Sequence, residues 1–210
     1  MTNINQLQPD NCAMAFIDHQ PFVAFPIQSI SASELINNVT GLAKAAKALN
    51  IPTILTTVSA KGGPLADPLF TQLQNVFPEM EPIDRHNTNA WSDPRFVEAI
   101  EKTGRKKLIF SGLLTEICLA QTTFSALKAG YEVFFVSDAS GGISPEAHQD
   151  AKLRMIQAGA QPINWMAAMT ELSPDNAEPI FQKIIEITGE HGGGERYNVE
   201  YLQAQMNRKA

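Results

Sequence analysis

Cysteine is scarce in this chain of 210 residues: only Cys12 and Cys118 occur, too few for a disulfide framework. If Cys12 opens one parallel strand and Cys118 follows the far end of another, they lie near opposite ends of a sheet. Six strand residues span about 20 Å, whereas bridged Cα atoms lie within about 7 Å, so two free thiols are expected. Basic residues are also few, 16 Lys and Arg against 22 Asp and Glu, for a net charge of −6 and a pI near 5.2. That balance argues against a nucleic-acid or acidic-membrane partner. The one short basic run, Arg105-Lys106-Lys107, reads as a solvated strand entrance. No apolar run nears the roughly 18 residues of a membrane helix, and Met1 to Asp10 lacks the basic-then-apolar order of a signal peptide. A soluble, cytoplasmic protein is the expectation. Phosphate-cradling glycine patterns are missing as well: the chain has neither G-x-G-x-x-G nor a Walker sequence.

What is present is a regular alternation of buried strands and amphipathic helices. Hydrophobic content of 44% suffices for one sizeable core, and the length requires no second domain. Residues 1–188 are expected to form a single domain, and 189–210 a linker and polar tail that docks on its own core or on a neighbouring subunit. Cys12 to Ile17, Thr53 to Thr57, Leu108 to Phe110, Glu132 to Val136 and Gln161 to Trp165 read as strands. The continuous apolar runs among them suit a parallel sheet covered on both faces. Helices are expected from Ser33 as N-cap to Leu49, from Ser92-Asp93-Pro94 to Gly104, from Ser144-Pro145 to Gly159, and over Asn176 to Thr188. Val58 to Phe77, rich in Gly and Pro, reads as a loop with one short helix. The pattern predicts an α/β fold, a three-layer α-β-α sandwich with a mostly parallel central sheet and right-handed crossovers.

The most informative stretch is Lys107 to Gln121, a buried strand that turns abruptly into a helix carrying Cys118. Thr115 sits where an N-cap is wanted, which puts Cys118 at the third helical position. A thiolate there faces free N–H groups and the positive end of the helix dipole; the bland alternative is a small buried hydrophobe. Asp18, directly after the first strand, stands where ligand crevices of open α/β sheets lie, though a turn carboxylate is the plainer account. The apolar loop Phe22 to Ile27 is either a pocket wall or a subunit contact. His19 and His86 neighbour polar candidates and read mainly as satisfied loop histidines; His148 and His191 read as surface residues.

Asp18, Arg85 and Cys118 fall on one rim of the sheet. Together with Gly112-Leu-Leu-Thr115-Glu-Ile-Cys118 and Val136-Ser-Asp138-Ala, they make the chain resemble the isochorismatase-like superfamily of cysteine hydrolases, from Asn11 to Trp165. Ile83-Asp-Arg85, Asn89-Ala-Trp91 and Pro52 to Thr57 look like its YcaC-type bacterial branch. The resemblance implies a Rossmann-like fold and a homo-oligomer. It also implies Cys118 as nucleophile, Asp18 as base, and backbone N–H groups around Leu114, Thr115 and Cys118 as oxyanion hole. A non-proline cis bond is expected between Leu114 and Thr115.

Gln20, His86, Asn89 and Trp91 are further candidates to line the pocket, where a small-molecule substrate would bind. Arg85 takes the place of a lysine in the wider family. Arginine stays protonated, so it orients, stabilises or binds oxygen but does not shuttle protons. Metal-dependent relatives carry histidines after the second strand. Val58 to Phe77 has none, so neither metal nor other cofactor is expected. The implied activity is hydrolysis of a C–N bond in a small amide or carbamoyl-like substrate. The alternatives are a weakly active or inactive oligomeric scaffold of the same fold, and a redox thiol, which would lack a resolving cysteine.

Overall fold

The computed structural model describes residues 6–62, 67–175 and 177–207. Expectations for Met1 to Asn5, for Gly63 to Ala66 within the loop, for Asn176 as a helix start and for Arg208 to Ala210 lie outside them.

β1 (Cys12–Ile17) is buried along its whole length. Its side chains alternate, with Cys12, Met14 and Phe16 entering one apolar cluster and Ala13, Ala15 and Ile17 the other. A strand that feeds two cores cannot alternate apolar with polar, which is why it reads as a continuous run. After it come α1 (Pro21–Ala24), α2 (Ala32–Ala48), β2 (Thr53–Val58), α3 (Thr71–Val76), β3 (Ile83–Arg85), α4 (Pro94–Lys102) and β4 (Lys107–Gly112). A π-helical turn, Thr115–Leu119, leads into α5 (Ala120–Lys128), then β5 (Glu132–Val136), α6 (Pro145–Gln157), β6 (Gln161–Ile163), α7 (Trp165–Leu172), α8 (Ile180–His191) and α9 (Glu195–Asn207).

The six strands are all parallel, in the order β3-β2-β1-β4-β5-β6. One face packs residues of α2, α3, α7 and α8, the other residues of α4, α5 and α6. The strand order reverses direction between β1 and β4, and crevices that bind ligands open outside the carboxyl ends at such a switch point. Asp18 follows β1 and the cysteine turn follows β4, so topology alone brings them to that crevice. Close approach is possible because Gly112, paired with Ile17, has no side chain; a Cβ there would stand 2.9 Å from Ile17 Cβ.

Several local expectations are corrected. Ser31, not Ser33, caps α2, its hydroxyl accepting from Glu34 N. β3 had no strand signal, since three residues at a sheet edge carry no periodicity. Trp165 opens α7 instead of ending β6, because Asn164 accepts from Ala167 N and Asp138 from Trp165 N. α8 runs through Gly189 to His191, and 195–207 is helical where a polar tail was expected, with Val199 buried against Gly189. Lys107 is buried and donates to Gln6 O; it is not a solvated entrance. Both cysteines are free and buried. No helix among the described residues is long and apolar enough to cross a membrane.

Candidate active site

Asp18 takes a positive φ of 58°, a conformation Asp tolerates better than most residues. Its carboxylate is fully buried and anchored from two strands. Thr56 Oγ1 on β2 donates to Oδ1 at 2.9 Å, and Arg85 Nη2 on β3 donates to Oδ2 at 2.6 Å. Arg85 is buried too, and its Nη2 also lies 3.4 Å from Thr88 O. Its Nε and Nη1 have no hydrogen-bond partner among the described residues. On β3 the side chains alternate. Asp84 turns away to accept from Thr57 Oγ1, Ala60 N and Lys61 N, pinning the loop that follows β2.

The Cys118 thiol approaches this carboxylate from the other side of the switch point, near enough for the Asp18 charge to act on it. Burial, then the Asp18 charge, push the thiol up to about 12, against the pull of Arg85 and of a backbone N–H at Leu114 that faces the sulfur. Burial also raises the Asp18 carboxyl, with the Arg85 guanidinium opposing. Burial thus works against the charged form of both groups, and the Arg85 guanidinium opposes it at both. Desolvation here opposes the ionised thiol that the helix dipole favours.

The turn around Cys118 differs from its expected form. Leu114 is the N-cap and Thr115 makes no cap bond; Thr115 Oγ1 instead pairs with His148 Nδ1 at 2.9 Å. The cis peptide lies between Leu113 and Leu114, one residue earlier than expected. Thr115 N donates to Gly141 O, while Ile117 N and Leu119 N both donate to Leu114 O. Of the amides in the turn, those of Glu116 and Cys118 have no backbone partner outside it among the described residues. The loop after β5 braces the turn from behind through Gly141 and through Ser140, whose hydroxyl accepts from Gly112 N and donates to Val136 O.

The remaining candidates divide. Gln20 is buried, its amide spent on the backbone of Val58 and Asp67, so it ties loops together. His86 is exposed and bonded to Ser59. Asn89 donates to Ser125 and accepts from Trp91 N; with Thr88 to Gln121 and Ala90 to Thr122, these bonds dock the segment after Arg85 onto α5. Trp91 packs on Phe96 and Tyr131, ahead of α4. His19 is buried, its Nε2 3.1 Å from Ala139 O, and burial lowers it to about 4, so it is a neutral structural group. His148 and His191 are half-buried and bonded, to Thr115 and Asn37, contrary to the surface reading. An apolar groove of about 400 Å³ lies beside α1, lined by Phe25, Ile27, Leu35 and Phe70 among others. Sequence reasoning missed Thr56; a second hydroxyl residue beside Thr57, near the end of a buried strand, was the available signal. No cluster of three or more His, Cys, Asp or Glu able to hold a metal occurs among the described residues.

A parallel sheet with buried Asp18, Arg85 and Cys118 gathered at its switch point defines an α/β protein with a candidate site outside the carboxyl ends of its central strands. The isochorismatase domain model matches residues 12–167, and the chain belongs to the isochorismatase family and is a hydrolase of it. It is 39% identical over 171 residues to the probable hydrolase YcaC of Escherichia coli strain K12, covering 81% of each chain. Among solved structures, YcaC from Pseudomonas aeruginosa, described with hexane-2,5-diol and covalent acrylamide, superposes with TM-score 0.91 at 36% identity, over 97% of this chain and 100% of that one. The Escherichia coli YcaC structure, described as an octameric hydrolase of unknown specificity, gives TM-score 0.90 at 32% identity, over 100% of both chains.

Proposed function

We propose that this chain hydrolyses a C–N bond of a small amide or carbamoyl-like substrate through a thioester at Cys118, with Asp18 as base and Arg85 as its electrostatic partner. The observation that carries this reading is the buried Asp18–Arg85 pair at the switch point, beside which the turn after β4 brings the buried Cys118. As the sulfur attacks the acyl carbon, its proton passes to Asp18, whose raised affinity for protons suits it to that task. Arg85 holds the Asp18 side chain in place while the carboxylate becomes the neutral acid. The negative charge moves to the acyl oxygen, toward the N–H groups of Leu114 and Cys118. Collapse expels the amine, which takes the proton back from Asp18. Water, deprotonated by the same carboxylate, then cleaves the thioester to the acid and restores the thiol. A cysteine only 6% exposed suits a small acyl group.

The Pseudomonas aeruginosa relative is described with covalent acrylamide; acrylamide adds to thiols, and an adduct at Cys118 belongs to this reading. The octameric relative supports a homo-oligomer here.

The test is the pH dependence of alkylation at Cys118, resolved from Cys12 by peptide mass spectrometry, with turnover of a panel of small amides. Asp18→Asn should remove the inflection contributed by the carboxylate and cost turnover about 100-fold or more. A Cys118 that alkylates identically in both proteins and turns nothing over would leave a non-catalytic oligomer of the same fold as the better account.

A further inference from the structure

We propose that Thr56 is a positioning residue for the base, holding Asp18 Oδ1 so that the carboxylate keeps one orientation toward the Cys118 thiol. The inference rests on the hydrolase reading above and adds to it a fourth member that acts only through Asp18. Three observations carry it. Thr56 is fully buried, and its hydroxyl donates to Asp18 Oδ1 at 2.9 Å. Its carbonyl accepts from Asp18 N at 3.1 Å, so one residue of β2 holds both backbone and side chain of the base. Arg85 takes the other oxygen, so neither oxygen turns without breaking a bond.

A carboxylate offers about four acceptor sites. With one used by Thr56 and one by Arg85, the thiol meets a carboxylate whose plane is already set, the arrangement in which a third group orients the base for its nucleophile. Thr57, its neighbour, serves Asp84 on the opposite side, so the paired threonines fix the two aspartates separately. Alternation along the strand accounts for the division. The titratable groups facing Asp18 are Arg85 from β3 and Cys118 from the turn after β4. His19, next in the chain, directs its ring to Ala139 O and Ser111 Oγ.

The experiment compares Thr56→Val, which keeps shape and strand propensity but removes the donor, with Thr56→Ser, which keeps the donor but removes a methyl group. Read-outs are the pH profile of Cys118 alkylation and urea unfolding of each full-length protein. A bond to an ionised acceptor favours the ionised form, so Thr56→Val should move the Asp18-linked inflection upward by about one pH unit. Thr56→Ser should keep the wild-type inflection while losing stability. If Thr56→Val does not fold, Thr56→Ala supplies the same comparison against Thr56→Ser.

An unmoved inflection in the donor-less variant, with only a uniform fall in rate, would overturn the proposal and leave the hydrolase reading standing. An upward shift of equal size in Thr56→Ser would overturn it as well, because loosened packing would then be the cause. A wild-type profile lacking any Asp18-dependent inflection would overturn both readings, a result distinct from the other two.

Discussion

Arg85 Nη2 lies 2.6 Å from Asp18 Oδ2, with both side chains almost wholly out of water, at 1% and 0% exposure. A buried ion pair of this kind gains little over an apolar replacement of both partners, but breaking it by removing one partner leaves an uncompensated charge.

Arg85→Met should therefore destabilise the protein by about 3–5 kcal/mol at neutral pH. The direction of the pH effect follows from Asp18. Its folded carboxyl is already raised by burial, and loss of Arg85 raises it further. A raised carboxyl contributes stability below its unfolded value, and that contribution is lost as pH rises through the folded value. The deficit of Arg85→Met should thus shrink on acidification from pH 7 to pH 5 in urea unfolding. A deficit that is constant across that range would mean Asp18 does not carry the uncompensated charge.

His19 gives an opposite pH dependence. It is buried neutral and lowered from an ordinary value near 6.5 to about 4. The stability linked to it is fully present above pH 6.5 and lost as pH falls from there toward 4, amounting to about 3 kcal/mol across the window. His19→Gln should flatten the fall in unfolding free energy over that range. His148, also lowered to about 4, should leave a residual slope. An unchanged slope in His19→Gln would assign the whole effect elsewhere.

Gly112 separates the chain neighbours of Asp18 and Cys118. A Cβ there meets Ile17 Cβ at 2.9 Å and Leu119 Cβ at 3.4 Å, side chains adjacent in sequence to Asp18 and Cys118. Gly112→Ala should cost about 1–3 kcal/mol of stability and slow alkylation of Cys118 relative to Cys12. Urea unfolding and peptide mass spectrometry read both effects, and an alanine variant with wild-type values would show that the strand ends have slack.

The ring of Phe25 is 92% exposed on the rim of the apolar groove beside α1. A protruding ring and a receptive groove on one surface are self-complementary, as an isologous contact requires. Phe25→Glu should lower the assembly mass measured by light scattering; an unchanged mass would move the contact elsewhere, with exposed Tyr197, Tyr201 and Leu202 of α9 the next element to substitute.

The candidate site was legible in the chain to the extent that its members occupy strand ends. Asp18 stands out because it ends the continuous apolar run Cys12–Ile17, and Cys118 because it follows Gly112 and precedes a helical stripe. Arg85 was placed only through the family pattern, since β3 is three residues long and carries no period. His148 misled for the opposite reason: its helix exposes most of its turns, and nothing local announces that Thr115 receives the ring.

The amino-acid sequence by itself determined the central strands and the helices between them in their order, hence the parallel sheet and the rim on which Asp18 and Cys118 meet, because strand and helix periods and chain crossover are local or topological properties. Tertiary structure alone decided the burial of the thiol, the pairing of Thr56 and Arg85 with separate oxygens of one carboxylate, and which amides of the cysteine turn are already engaged. Those depend on desolvation and on distances of a few ångströms between residues that lie as far as 38 and 67 positions apart, and no sequence period encodes them.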